Sequence, residues 1–304
     1  MIHAGQRARS DYCPICGEVL KRRASSRRPV SFGGLIRRFP RCAVCGSRSL
    51  DPMPSERELA CLYGVDYNAG DSALTGAGGD PRAYDWIFET LGAARPGRFV
   101  DYGCGSGALL ARVAAAGVEA IGFDLDSDGV EAASITSGCR VHSIADIRMH
   151  IATADVVHLG DVLEHVPDPE VVLGQACSLL RPGGLLLAEG PLEANLSVFN
   201  GVIAIASLAR GRKPTDTPPH HVHLATARGQ RRLFQRAGMT QLEFETSDIA
   251  WPAPERWTRD VAVSPRLLAL FLVRRFSTVV RNIVPSRSSE RMSNRFRYSG
   301  TTPI

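Results

Sequence analysis

The most specific chemical pattern in this sequence is a set of four cysteines near the N-terminus. They form two C-x2-C pairs, each followed by a glycine: Cys13, Cys16, Cys42 and Cys45. A C-x2-C turn directs two thiolates at one point, and two such turns supply the tetrahedral sulfur set that structural zinc prefers. Because four thiolates leave zinc no open position, the pattern predicts a structural Zn(2+) site without catalytic function. A redox dithiol pair and unrelated cysteines are the alternatives.

A glycine-rich turn in the middle of the chain forms the second group. A short apolar stretch contains Asp101, and Gly103, Gly105 and Gly107 follow it before a helical pattern begins. Glycines here permit a tight turn and let a ligand approach the main chain closely. The spacing is G-x-G-x-G, whereas dinucleotide-binding dehydrogenases carry G-x-G-x-x-G. A carboxylate beside this turn would repel a pyrophosphate, but it suits a ligand that carries an ammonium group.

Residues at the ends of the next strand patterns extend this predicted ligand site. Asp124 ends the second pattern, 17 residues after the last glycine of the turn. A carboxylate at that place can accept both hydroxyls of a ribose. Ala145 and Asp146 follow the third pattern and are placed to meet an adenine. Leu125 and Gly160, which also lie at strand ends, complete the predicted cofactor-binding set.

Histidines are the candidates for acid–base chemistry, because their ordinary pKa suits the removal of a proton from an acceptor. His165 follows the fourth strand pattern, and His220, His221 and His223 lie close together before a predicted helix. We place His221 and His220 first as the base, and His165 as a further candidate or a lining residue of the cofactor pocket. A metal cluster and a solvated loop are the alternatives for the three clustered histidines.

The strand and helix patterns that must position these residues alternate along the chain. Strand patterns lie at 99–102, 120–124, 141–142, 154–158, 185–188 and 241–246, with a turn at 180–184 and a further short strand at 29–35. Strands that alternate with helices at this spacing predict an α/β fold. The expected architecture is a doubly wound, mostly parallel sheet.

The central region resembles the class I S-adenosylmethionine (SAM)-dependent methyltransferases over about residues 96–247. The matching motifs are VDYGCGSG at 100–107, GFD at 122–124, DVLEHVPDP at 161–169 and LRPGG at 180–184. The resemblance implies a Rossmann-like sheet of seven strands, of which six are visible in the sequence, and SAM as cofactor. It also implies that the glycine turn holds the methionine part, that Asp124 holds the ribose, that Ala145 and Asp146 contact adenine, and that Asp101 lies near the amino group.

The N-terminal region is similar to zinc-ribbon methyltransferases of sugar and natural-product biosynthesis. The two cysteine pairs, the PMPSEREL stretch at 52–59 and the TPPHH segment at 217–221 carry this second resemblance. It implies O- or C-methylation of a small-molecule, sugar or lipid-linked acceptor. Residues 223–225 read HLA, whereas an aromatic residue and a serine cap usually follow in that group.

Composition and charge limit the remaining classes. The 304 residues are 44% hydrophobic, which suits a globular chain with a full core. No apolar run reaches the roughly 20 residues of a membrane helix, and no secretory signal is visible, so we expect a cytoplasmic protein. Residues 1–58 carry 12 Lys/Arg against 5 Asp/Glu, and residues 255–304 carry 10 against 3. Basic ends suit phosphate backbones, so an RNA methyltransferase is the first alternative.

Nucleic acid is nevertheless the weaker prediction for a partner. The segment after the fourth strand pattern lacks the Asn/Asp-Pro-Pro-aromatic motif of amino-group methylation, and no Pro-Cys nucleophile for cytosine methylation is present. A non-catalytic SAM-binding scaffold is the second alternative. The intact glycine turn and Asp124 speak against it.

We predict four regions along the chain. They are a zinc ribbon at 1–50, a helical linker or cap at 51–95, the SAM-binding domain at 96–250 and a basic amphipathic tail at 251–304. Within the tail, 266–283 either packs on the catalytic domain or lies on an anionic membrane surface at the inner membrane face. We expect 190–213 to form a lid or a buried helix, and 286–304 to be mobile.

Overall fold

The computed structural model describes residues 11–23, 29–32, 34–55, 57–59, 84–125, 127–198, 200–201, 205, 221–247, 256–283 and 290–303. Its strands in the N-terminal part are β1 (Arg22–Arg23), β2 (Val30–Phe32), β3 (Leu35–Arg37), β4 (Arg41–Cys42) and β5 (Arg48–Ser49). Those of the larger part are β6 (Arg98–Tyr102), β7 (Glu119–Asp124), β8 (Arg140–Ser143), β9 (Ala154–Gly160), β10 (Leu180–Pro191), β11 (His223–Leu224), β12 (Thr240–Ser247) and β13 (Arg295–Thr301).

Helices connect most of these strands. They are α1 (Asp85–Ala94), α2 (Ala108–Ala115), α3 (Ser127–Ser137), α4 (Pro169–Leu179), α5 (Ala227–Arg236), α6 (Arg259–Val263) and α7 (Pro265–Ile283), with a 3-10 helix at Ile144–His150. Capping explains two of the starts. Asp168 accepts hydrogen bonds from the first turn of α4, and Thr226 accepts one from Gly229 N in α5.

The larger sheet has seven strands in the order β12-β13-β10-β9-β6-β7-β8. The strands from β10 to β8 in that order run parallel, and β13 is antiparallel to both of its neighbours. Helices α4 and α5 pack on one face, and α1 and α2 pack on the other. The doubly wound, mostly parallel seven-stranded sheet is therefore confirmed. The turn predicted at 180–184 lies within β10, where the pairing with β9 shifts register between Leu180 and Leu185.

The seventh strand comes from the C-terminus, where the sequence interpretation is wrong. We expected 286–304 to be mobile, but β13 lies between β10 and β12 and pairs with both. Phe296 and Tyr298 point into the core and are almost fully buried. Their burial, together with hydrogen bonds on both edges, holds the strand in place. The predicted domain range of 96–250 therefore omits one strand of the sheet.

The N-terminal cysteines lie beside a small antiparallel sheet in the order β1-β4-β5-β11. Its fourth strand, β11, belongs to the segment that carries the clustered histidines. Instead of one strand at 29–35, β2 and β3 form a separate hairpin. Gly34 adopts a φ of 73° at its turn, which an L-residue rarely adopts, and this breaks the predicted strand.

The linker prediction is tested only at its ends. Ser55 and Glu58 form a capping box, in which Glu58 N donates to Ser55 Oγ and Ser55 N donates to Glu58 Oε2. A helical turn therefore starts at Ser55, within the predicted helical linker. Helix α1 also lies within this predicted linker, whereas 60–83 lie outside the described residues. Most of the predicted lid at 190–213 also lies outside them.

Helix α7 confirms the helical pattern expected at 266–283. Phe271 is buried against Trp257, with ring centroids 5.5 Å apart. A row of larger apolar side chains on the same helix is exposed: Leu272, Phe276, Val279 and Ile283. No helix in the described parts of the chain has the length and apolar character needed to cross a membrane.

Candidate active site

The predicted cofactor-binding residues meet at the carboxyl edge of the parallel strands. The glycine turn follows β6, Asp124 ends β7, the 3-10 helix follows β8, and the 161–168 loop follows β9. In open α/β sheets this edge is where ligands bind, because the loops there converge on one crevice. The sheet order places β6 between β9 and β7, so the glycine turn is central to the site.

The glycine turn has the geometry that the sequence predicts. Gly103, Gly105 and Gly107 all have positive φ values, of 78°, 52° and 76°. A Cβ on Gly103 would lie 2.6 Å from Val162 Cγ2, so a side chain there would collide with the next loop. A Cβ on Gly105 would meet no atom within 4 Å. The main chain at Gly105 is thus bare and accessible, as close approach of a ligand requires.

Asp124 is tied to the glycine turn at the tip of β7. Its two carboxylate oxygens accept hydrogen bonds from Gly105 N at 2.8 Å and from Leu125 N at 2.7 Å. These bonds fix the carboxylate at the position expected for a ribose-binding acid. Leu125 extends an exposed side chain next to it. The ribose role of Asp124 stays a prediction.

Asp101 has a partner that the sequence did not reveal. His158 Nδ1 donates to Asp101 Oδ1 at 2.8 Å, and both side chains are buried. Burial disfavours the charged imidazole, but the hydrogen bond from His158 to Asp101 outweighs it and raises the pKa of His158. The expected contact of Asp101 with the cofactor amino group stays a prediction. Any such contact would share the carboxylate with His158.

The remaining predicted cofactor residues lie along the same edge. Ala145 and Asp146 begin the 3-10 helix after β8, where Ala145 N donates to Ser143 Oγ. Gly160 is the last residue of β9, and a Cβ there would lie 2.6 Å from the imidazole of His158. Glycine at 160 is therefore required by the neighbouring buried histidine.

Two of the three predicted catalytic histidines are adjacent. The rings of His165 and His221 meet edge to face, with centroids 4.8 Å apart. His221 Nδ1 lies 2.6 Å from Glu193 Oε2. Partial burial of the ring disfavours its charged form, but the Glu193 carboxylate raises the pKa of His221 to about 9. His220 lies outside the described residues.

A buried carboxyl group completes this cluster. Glu164 is only 5% exposed, and its Oε1 has no hydrogen-bond partner among the residues that the structure describes. Burial, followed by the nearby Asp161, raises the pKa of Glu164 to about 8. Ligand-type atoms of Glu164, His165 and His221 all lie within 4.8 Å of one another. The cluster can therefore accept and hold a proton near neutral pH.

An arginine from the C-terminal strand also lies at this edge of the sheet. Both guanidinium ends of Arg295 contact the Asp161 carboxylate at 2.9 Å, in a two-bond pair. Arg295 is the first residue of β13, so the misread strand brings this charge to the carboxyl edge. The same guanidinium lies 3.7 Å from Glu189 at the end of β10.

Sequence reasoning missed Glu193, His158 and Arg295. Each lies far along the chain from the residue that it contacts, so no local spacing could reveal the pairs. A signal for Arg295 was available, because Phe296 and Tyr298 alternate with polar residues in the two-residue period of a strand. No comparable pattern marks Glu193 or His158.

The four cysteines come together outside this edge. Cys13 Sγ lies 3.8 Å from Cys45 Sγ, and Cys16 Sγ lies 3.8 Å from Cys42 Sγ. All four are buried and unbridged. A tetrahedral zinc with Zn–S bonds of about 2.3 Å places its sulfurs about 3.8 Å apart. The cluster therefore fits the ligand set of a zinc ribbon.

Comparison with known proteins agrees with the central part of the chain. A family model described as a methyltransferase domain matches residues 80–243. The ubiquinone biosynthesis O-methyltransferase of Bordetella pertussis is 30% identical over 177 residues, which cover 54% of this chain and 73% of that protein. The protein of the same name from Aromatoleum aromaticum is 36% identical over 113 residues, which cover 34% of this chain and 48% of that protein.

A solved structure shares the fold at low identity. The 4+2 cyclase SpnF superposes with a TM-score of 0.51 and 15% identity, over 83% of this chain and 98% of that chain. At this identity the likeness concerns the fold alone. Its name as a cyclase illustrates that one fold serves different reactions, so the reaction must be argued from the site.

Proposed function

The chain belongs to the methyltransferase-domain family and is a SAM-dependent methyltransferase, and from that premise we propose that it methylates a hydroxyl oxygen of a small molecule with His221 as the base. The observation that carries the proposal is the contact of His221 with Glu193, beside His165 and Glu164, at the carboxyl edge of the sheet. The relatives named O-methyltransferases support oxygen as the methylated atom. Methylation of RNA and non-catalytic binding of SAM have no comparable support.

We assign the two ring nitrogens of His221 different roles. Nδ1 faces the Glu193 carboxylate, which favours a proton on that nitrogen. Nε2 is then the atom that takes the proton of the acceptor hydroxyl. Glu193 stabilises the imidazolium that results, and the edge of His165 restricts rotation of the ring. When bound, SAM supplies the methyl group, and its sulfonium leaves as the neutral thioether of S-adenosylhomocysteine.

We assign the cofactor to the crevice over the glycine turn. The bare main chain at Gly105 fits a ligand that approaches closely, and the held carboxylate of Asp124 fits a ribose. Ala145 and Asp146 are assigned to the adenine, and Asp101 to the side of the amino group. This assignment requires no residue outside the carboxyl edge.

Replacing Asp124 with alanine should weaken the binding of S-adenosylhomocysteine at least tenfold. The loss corresponds to about 1.4 kcal/mol, the usual contribution of a charge-assisted contact to two hydroxyls. Isothermal titration calorimetry measures it directly. Asp155 offers a matched control, because its carboxylate also accepts two backbone N–H bonds, from Gly97 and Arg98, but at the amino edge of the sheet. Equal affinities for Asp124→Ala and Asp155→Ala would remove the ribose assignment.

We propose that the cysteine cluster binds one structural zinc ion. The 3.8 Å separations of its sulfurs and their burial support this assignment. Gly17 and Gly46 have φ values of 71° and 84°, so each turn folds back beneath its cysteine pair. Zinc at this position would stabilise a segment too small to fold without it.

We propose further that the acceptor is a sugar or a lipid-linked molecule, and that α7 contacts an anionic membrane surface at the inner membrane face. The exposed apolar side chains Phe276 and Ile283 on α7, with Arg275 also exposed on this helix, support the contact. A peripheral contact of this kind would bring the site close to lipid-linked acceptors.

The proposed function is tested with methyl-labelled SAM and cell lysate, followed by separation of nucleic acid, protein, lipid and small-molecule fractions. We expect the label in the small-molecule or lipid fraction, on an oxygen atom. If lipid is labelled only when membranes are present in the reaction, the peripheral contact is supported. If lipid is labelled equally without membranes, the contact is contradicted. Label in RNA would overturn the choice of acceptor and make the basic ends a binding surface.

A further inference from the structure

The proposed base His221 lies two residues before β11, which belongs to the small sheet of the ribbon. Strand β11 pairs with β5 of the ribbon, where His223 lies opposite Ser49. Leu50 N donates to the Val222 carbonyl at 2.9 Å. Because Val222 directly follows His221, these bonds fix the main chain on one side of the base.

The second cysteine turn holds the continuation of the same segment. The hydroxyl of Thr226 donates to the Cys45 carbonyl at 2.8 Å, and Thr226 N donates to Ser47 Oγ at 3.1 Å. Thr226 is also the N-cap of α5. A Cβ on Gly229 would lie 2.2 Å from Ser47 Oγ, so the start of α5 is packed directly against the turn. Displacement of this turn would therefore move the start of α5.

The loop after β9 holds the segment from the opposite side. The carbonyl of Glu164 accepts hydrogen bonds from Val222 N at 2.9 Å and from His223 N at 3.1 Å. The same loop carries His165, which contacts the ring of His221. Residues 222–226 are therefore held between the ribbon and the loop after β9, and His221 directly precedes them.

His223 is the side chain that joins these two layers. It is 1% exposed, and its Nδ1 lies 2.8 Å from Ser49 Oγ. Burial lowers the pKa of His223 to about 4, although the carbonyls of Val166 and Pro167 act in the opposite direction. The imidazole is therefore neutral near pH 7, and one ring nitrogen can accept the Ser49 hydroxyl. A histidine in this role contributes to position and not to proton transfer.

We propose that the ribbon is part of the acceptor site, in which Ser49 and His223 are positioning residues that hold His221 against Glu193. The inference rests on the proposed role of His221 as the base. It assigns the ribbon a function beyond stability: the ribbon fixes the acceptor-side base and makes no contribution to cofactor binding. The cofactor residues Asp124 and Asp101 lie on other strands, where Asp124 accepts a hydrogen bond from Gly105 N and Asp101 pairs with His158.

The test replaces Ser49 with alanine and, in parallel, with threonine, which keeps the hydroxyl. We expect Ser49→Ala to lower kcat about tenfold, because the base is less well oriented. The affinity for S-adenosylhomocysteine should stay within twofold, and Ser49→Thr should restore most of kcat. The zinc content should equal that of the wild type. Ile36→Ser, an exposed position in the β2–β3 hairpin of the ribbon, is the matched control and should change none of these values.

A second readout does not depend on turnover. The titration of His221, followed by NMR and assigned with a His221→Asn sample, should move in Ser49→Ala from its raised value toward the ordinary histidine value of about 6.5. His223→Gln should produce the same shift if Ser49→Ala fails to fold. An unchanged titration and an unchanged kcat in the folded variants would overturn the inference. If the wild type transfers no methyl group, a shifted titration still supports the positioning role while the proposed function fails.

Discussion

Replacing His221 with asparagine is expected to lower kcat by about 100- to 10,000-fold, which is the usual contribution of a positioned general base. The hydroxyl of the acceptor would then lose its proton to water and not to Nε2 of the imidazole. Asparagine keeps a polar group that can donate to Glu193. The affinity for S-adenosylhomocysteine should therefore change little. Steady-state kinetics and calorimetry on the same preparation measure both effects.

A second variant, Glu193→Gln, tests the same assignment through the pH dependence of kcat/KM. As the proposed base, His221 can act only when it is neutral, and its pKa is raised to about 9. The value of kcat/KM should therefore rise about tenfold per pH unit below this value and level off above it. Glutamine removes the charge that raises the pKa of His221. The rise in kcat/KM should then level off closer to the ordinary histidine pKa of about 6.5.

Two results would contradict the assignment of the base. One is a His221→Asn variant that keeps at least half of the wild-type kcat. The other is a pH profile that Glu193→Gln leaves in place, because the profile would then report a group that Glu193 does not contact. Either result would make His165 the next candidate, since its ring lies against His221.

Replacing Cys42 with serine is expected to remove the zinc and unfold the ribbon. Structural zinc contributes about 10–16 kcal/mol of apparent binding free energy in small zinc modules, and the segment has few other means of folding. We expect about one zinc per chain in the wild type and a small fraction of that in the variant. Because the ribbon holds the segment after His221, kcat should fall at least a hundredfold.

The cofactor side of the site separates this effect from general unfolding. The second cysteine turn contacts Thr226 at the start of α5, whereas the glycine turn contacts Asp124, so S-adenosylhomocysteine should bind Cys42→Ser with nearly wild-type affinity. Cys139→Ser is the matched control, because it makes the same substitution at a free cysteine outside the cluster. It should keep both the zinc and the activity. A zinc-free wild type with a folded ribbon, shown by metal analysis and NMR, would disprove the assigned metal site.

Local spacing was sufficient to predict several features of the fold. The two cysteine turns depend on residues three apart, and Gly17 and Gly46 have the left-handed conformation that such turns require. The glycine turn and Asp124 depend on the end of one strand and the start of the next helix. Such features are fixed by contacts within a few residues, so the sequence carries them almost completely.

The C-terminal strand shows why the remaining strand was misplaced. The polar and basic composition of 286–304 suggested mobility, and the alternation of Phe296 and Tyr298 was short. Pairing with β10 and β12 makes this segment an internal strand of the sheet, because both of its edges form hydrogen bonds and one face packs into the core. Composition is a poor guide where tertiary pairing supplies the stability.

The sequence by itself determined the class of fold, the cofactor and the two cysteine turns of the proposed zinc site, because these depend on motifs with short internal distances. Tertiary structure decided which groups act on one another. It brought Glu193 to His221, His158 to Asp101 and Arg295 to Asp161, and it paired the ribbon with the strand that follows His221. Each of these contacts joins distant segments, and their pairing depends on how the sheet and its loops pack, which no spacing along the chain records.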